Sequence, residues 1–87
     1  MNFVKIGDKK RCSGSSIENG LLETVEACAL GCHGVSSLFR YGTTEWTSSF
    51  ICNSYPVKCY CYCETSADSE GKCDLVDDLS YNIYKYN

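Results

Sequence analysis

The run Cys59-Tyr60-Cys61-Tyr62-Cys63 constrains this chain more than any other stretch, because it sets three of eight cysteines two apart and interleaves two of seven tyrosines. In an extended strand, residues two apart share a face, so the three thiols lie on one side and both rings on the other. Turn-forming Asn53, Ser54 and Pro56 precede the run and Glu64 to Gly71 follows it, which predicts a strand. Upstream, Val25, Cys28, Ala29 and Cys32 recur at i, i+3, i+4 and i+7, the apolar stripe of a helix. Four helical residues advance about 6 Å, and two strand residues advance roughly 6.6 Å. Two helix sulfurs can therefore meet two strand sulfurs if the helix lies along the sheet.

The expected organising unit is thus the Cys28/Cys32 helix stapled twice to a central strand carrying Cys59, Cys61 and Cys63. Cys52 with Cys59 would close a short loop, and Cys12 would pair with Cys73 or with the strand thiol left over. An even count of eight cysteines in 87 residues places the chain in the disulfide-scaffold class, fully oxidised and in an oxidising compartment. A single small domain spanning 1–87 has a limited core, and each disulfide adds about 2 to 4 kcal/mol to it.

Charge and hydropathy remove several function classes. A formal net charge of −3 argues against a nucleic-acid binder. No apolar run approaches a membrane span, so no membrane insertion is expected. No charged region followed by an apolar stretch marks a signal peptide, so Met1 reads as an engineered start or a residue left by trimming. Asn-x-Ser/Thr does not occur.

Along the chain, Met1 to Ile6 alternates weakly and reads as a strand, followed by a turn at Gly7-Asp8. Lys5, Lys9, Lys10 and Arg11 form the basic cluster, read as solvated charge guarding an edge strand or as an attractor for an acidic glycan or lipid. Ser13 to Gly20 reads as loop. Thr24 can cap the helix, Glu26 suits its positive end, and Gly34 can take the left-handed cap after Cys32 or His33. His33, the only histidine, reads as an exposed helix end. Leu38-Phe39-Arg40-Tyr41 alternates up to Gly42 and predicts a strand with Phe39 and Tyr41 on one face and Leu38 and Arg40 on the other. Thr43 to Pro56 reads mostly as loop, with some strand around Ser49 to Cys52, and its Trp46 is either a pinned core ring or a contact residue. Glu64, Asp68, Glu70, Asp74, Asp77 and Asp78 stand against Lys72 alone in an acidic loop around Cys73. That loop lacks the spacing of an EF-hand. Tyr81 to Tyr86 closes the chain as a strand, expected to lie beside Phe3 to Ile6.

Taken in order, Phe3 to Ile6, the helix with Cys28-x-x-x-Cys32, Phe39-Arg40-Tyr41-Gly42, the Cys59 to Cys63 strand and Tyr81-Asn82-Ile83-Tyr84-Lys85 resemble the PAN/apple domain family. The resemblance implies an α+β fold, a twisted antiparallel sheet with one α-helix packed across it and pinned by disulfides. It also implies an extracellular, non-catalytic module that binds a protein or a glycan. The chain departs from the family in having Ser36 or Ser37 where a further cysteine is common, and in the extra cysteines of the Cys59/Cys61/Cys63 strand.

The candidate binding surface follows from the strand geometry rather than from the family. With the thiols facing the helix, Tyr60 and Tyr62 point to the opposite side of the sheet, where Arg40 or Tyr41 could join them and Trp46 could either contribute or cover them. Rings beside a guanidinium suit a sugar or a peptide side chain. The alternative is a free-standing secreted toxin or defence peptide, which small size and dense cysteines also fit. A metal-thiolate protein matches no familiar zinc spacing. With one histidine and oxidised cysteines, no nucleophile-base pair and no cofactor are expected.

Overall fold

The computed structural model describes residues 2–43, 52 and 58–87. The Trp46 reading and most of the strand read around Ser49 to Cys52 lie outside the described residues. The chain is a small disulfide-rich α+β domain. Its described elements are strands β1 (Phe3–Gly7), β2 (Lys10–Cys12) and β3 (Ile17–Leu22), helix α1 (Val25–Cys32), and strands β4 (Leu38–Gly42), β5 (Cys59–Cys63), β6 (Leu75–Asp77) and β7 (Tyr81–Tyr86).

Five strands form an antiparallel sheet in the order β1-β7-β4-β5-β3, and β2 and β6 pair in a separate two-stranded sheet. The middle strand is therefore β4, flanked by β7 and by the cysteine-rich β5. The first and last strands pair as expected, with Phe3 opposite Tyr86 and Lys5 opposite Tyr84.

Alternation in β4 and β5 decides what each face buries. Phe39 lies opposite Cys63 and Tyr41 opposite Cys61, so these two rings share the helix side with the sulfurs. Helix α1 lays Cys28, Ala29 and Cys32 on them, all fully buried. Thr24 caps the helix by accepting the Ala27 N–H at 3.0 Å, and Gly34 takes φ +81° just past its end. Phe39 anchors a ring cluster, stacked on Tyr84 at 5.2 Å and edge-on to Phe3 at 5.3 Å. On the other side of the sheet, Cys12, Leu38 and Ile83 make a second, smaller core beneath the two-stranded sheet.

Four disulfides fix these layers, Cys28–Cys61, Cys32–Cys63, Cys52–Cys59 and Cys12–Cys73. The helix is stapled twice to β5, as the rise per residue predicts, and no cysteine is free. Disulfides of this density suggest an extracellular or secreted protein.

Three elements differ from the reading of the sequence. Ile17–Leu22, of which Ile17 to Gly20 was expected as loop, is the edge strand β3 on β5, with its register shifted between Glu18 and Leu21. The intervening Asn19-Gly20 is a bulge with Gly20 at φ +80°. An Asn-Gly pair breaks the period-two pattern and so hides the strand. Lys10–Cys12 and Leu75–Asp77, read as part of a solvated basic cluster and of an acidic loop, pair with each other. Their charges meet across that pair: Lys10 binds Asp77, and Arg11 Nε lies 3.0 Å from Asp78 Oδ2.

A candidate binding surface on the outer sheet face

The sheet face turned away from α1 is covered by β2 and β6 at one end. At the other end it carries Arg40, Tyr62, Tyr81, Tyr60 and, from the edge strand, Glu18 and Leu21. Strand register puts these together: Arg40 stands opposite Tyr62, Glu18 opposite Tyr62, and Leu21 opposite Tyr60. The Arg40 guanidinium carbon sits 4.1 Å from the centre of the Tyr62 ring and 4.7 Å from that of Tyr81. Those two rings meet edge to face at 5.7 Å. The Tyr62 hydroxyl lies 3.4 Å from Glu18 Oε1.

Beneath this group lies a buried ion pair. Glu64 is fully buried, accepting from Arg40 Nη1 at 2.7 Å through Oε1 and from the Cys12 N–H at 2.6 Å through Oε2. Both oxygens are thereby used. Burial pushes the Glu64 carboxyl above the usual carboxylate range, against the pull of the Cys12 amide and of Arg40. Arg40 Nε is buried with no hydrogen-bond partner among the described residues. Arg40 is thus a clamped support for the rings rather than an arm reaching for a ligand.

The expected site residues divide accordingly. Arg40, Tyr60 and Tyr62 come together on this face, the two tyrosines half-buried. Tyr41 does not join them: it is 3% exposed on the helix side, and its hydroxyl donates to the Leu22 carbonyl at 2.6 Å. Odd and even positions of β4 cannot share a face, which excludes Tyr41 from any surface built on Arg40. The sequence reading missed Tyr81, pressed on Arg40 with burial pushing its phenol up to about 12. It also missed Glu18 and Leu21, because their strand went unrecognised. Leu21 is 50% exposed and is the most open apolar side chain of this patch.

Other candidate sites lose their free groups. Lys5 is bound to Asp8 at 2.7 Å, and Lys10 and Arg11 pair with Asp77 and Asp78, so three of the four basic side chains of the cluster already face a carboxylate. The same pairs occupy Asp77 and Asp78 of the acidic segment. The sulfurs of Cys28, Cys32 and Cys61 lie within 4.8 Å of one another. All three are oxidised, and a disulfide sulfur has no thiolate charge to give a metal.

No protein-family model matches the chain, and no curated protein or solved structure shows significant similarity to it.

Proposed function

We propose that this chain is a PAN/apple-like extracellular binding module without catalytic activity, and that its outer sheet face contacts a protein partner. The family reading rests on the order of motifs in the sequence. The surface reading rests on one observation: Leu21, Tyr60 and Tyr62 form an open apolar and aromatic patch, held from below by the Arg40–Glu64 pair. Aromatic rings on a rigid base lose little freedom on binding and dominate interface energies. An aliphatic side chain as exposed as Leu21 suits a peptide or protein side chain better than a sugar hydroxyl. A non-catalytic role is supported by the bonding of all eight cysteines and by the place of His33, whose ring stands edge-on to Tyr86 at 5.6 Å.

Selection of displayed peptides on the oxidised domain tests this proposal. Selected peptides should lose about 1 kcal/mol or more of binding to Tyr60→Ala and to Leu21→Ser, with the thermal unfolding of both variants close to that of the parent. Peptides whose binding ignores both changes would place the contact surface elsewhere.

A further inference from the structure

Strand β3 sits at the sheet edge, where it pairs with β5 alone, and its middle is the bulge Asn19-Gly20. The register runs from Glu18 opposite Tyr62 to Leu21 opposite Tyr60, so Asn19 and Gly20 stand together against Cys61 and neither has a cross-strand partner of its own. Gly20 is exposed at φ +80°, and a Cβ built on it would meet nothing within 4 Å. No side chain, its own or a neighbour's, crowds that side of the backbone. Asn19 is half-buried against α1. Its Nδ2 lies 3.9 Å from Cys61 Sγ and fills the notch at Gly31, where an added Cβ would come within 2.0 Å of it.

Asn19 is the one asparagine of the chain that is followed by glycine. In such a pair the backbone nitrogen of Gly20 can reach the side-chain carbonyl carbon of Asn19, because glycine has no side chain to block the approach and turns freely into the angles that ring closure needs. Asn82 is the contrast within the same molecule. It is buried in β7, its Oδ1 accepts the Lys9 amide at 3.0 Å, and Ile83, branched at Cβ, follows it. Asparagine is among the chemically labile residues, and here one is shielded while the other lies in an open bulge at an edge.

We infer that Asn19 is a self-modification site, where the folded protein loses ammonia and converts to aspartate and isoaspartate, and that the conversion detaches β3. The Gly20 nitrogen forms a bond to Asn19 Cγ, the Cγ–Nδ2 bond breaks, and the departing ammonia carries away the Gly20 amide proton. Water, the only co-reactant, then opens the cyclic imide at either carbonyl. One opening restores the ordinary backbone with an aspartate side chain, and the other routes the backbone through the former side chain as isoaspartate.

Both products strike the joint between β3 and its supports. A carboxylate in place of the amide removes the Nδ2 donor and sets a charge against the Cys28–Cys61 bond and the Gly31 notch, where burial disfavours it. Glu18 next to it adds a like charge. Isoaspartate also lengthens the backbone by a methylene, inside a strand whose register is already shifted at that point. The Leu22 end stays tied, since the Tyr41 hydroxyl donates to its carbonyl at 2.6 Å. The strand therefore loosens from Ile17 to Leu21, and Glu18 and Leu21 leave the outer face with it.

Ageing of the oxidised protein in warm, mildly alkaline buffer, followed by reduction, digestion and fragmentation mass spectrometry, tests this inference. Conversion at Asn19 should run at least about tenfold faster than at Asn2 or Asn82. Asn19→Gln, whose longer side chain closes the ring far less readily, should stop the more acidic form from appearing on ion exchange. That acidic form, once isolated, should exchange its β3 and β5 amide hydrogens faster than the parent, while the β1–β7 amides keep their protection. Asn19 left intact in the folded protein, conversion at Asn82 that keeps pace with it, or a converted protein with parental exchange throughout β3 would each overturn the inference. None of these measurements involves a peptide ligand, so the outer-face reading and this one fail independently.

Discussion

Glu64 and Arg40 form a buried ion pair, 2.7 Å between Oε1 and Nη1, that joins the two sheets: the other Glu64 oxygen holds Cys12 of β2, and the Arg40 guanidinium holds Tyr62 and Tyr81. Removing one partner leaves an unpaired buried charge, which costs about 3 to 5 kcal/mol. Glu64→Ala should lose about that much in denaturant unfolding, and Arg40→Met combined with Glu64→Leu should lose less than the sum of the two single changes. Additive losses would mean that the pair is not coupled.

Glu64 and Asp77 should respond to pH with opposite signs. Burial lifts Glu64, so the folded chain holds its proton more readily than the unfolded chain does. Its contribution to stability is complete below the unfolded value and is lost as pH rises through the folded one. The hydrogen bond from Lys10 lowers Asp77, whose contribution is present above the unfolded value and lost as pH falls. Carboxyl-carbon NMR titration should give Glu64 the higher midpoint, and the reverse order would refute the assignment.

Tyr81 and Tyr86 should resist alkali. Burial pushes both phenols up to about 12. Their contribution is present below the ordinary tyrosine value of 10.0 and is lost as pH rises toward 12. Burial raises Tyr41 and Tyr84 as well, so phenolate absorbance should show at least four of the seven tyrosines titrating late, together with unfolding.

Gly42→Ala should disrupt the sheet. An added Cβ would lie 1.8 Å from the Ser80 carbonyl oxygen, a backbone atom that also accepts the Thr43 amide at 3.0 Å. Strands β4 and β7 would have to separate at that end. A loss of roughly 3 kcal/mol or more is expected in denaturant unfolding, beyond ordinary overpacking.

Deleting Tyr84 to Asn87 strips β1 of most of its pairing and removes two rings from Phe39. The melting temperature should drop by at least about 4 to 8 °C, the effect of losing 1 kcal/mol in a domain of this size. An unchanged melt would contradict the β1–β7 register.

The sulfur framework was legible because rise per residue is a local property: Cys28/Cys32 and Cys59/Cys61/Cys63 carry their geometry in their spacing. Helix α1 was legible for a similar reason, with Thr24 and Gly34 marking its ends. Strand β3 was not, since Asn19-Gly20 inserts a bulge that only the pairing with β5 rescues. Strands β2 and β6 are three residues each and hold together through each other and the Cys12–Cys73 bond, contacts that lie far apart in sequence. The face of Tyr60, Tyr62 and Arg40 followed from alternation, whereas Glu64 gave no sign of burial because its partners are an amide of β2 and a guanidinium of β4.

The Cys12–Cys73 bond also decides how the molecule would carry tension. A pull on the two ends enters through β1 and β7, which are joined at their outer end, so their hydrogen bonds break in succession from that end. The load then passes from Cys12 to Cys73 through a covalent bond and bypasses everything between them. Only the segments outside that bond can lengthen, on the order of 90 Å in all, while α1, β4 and β5, which lie between the two cysteines, carry no load. Under strain, the helix and the strand it is stapled to would hold together, whereas the outer face would lose Tyr81, which leaves with β7.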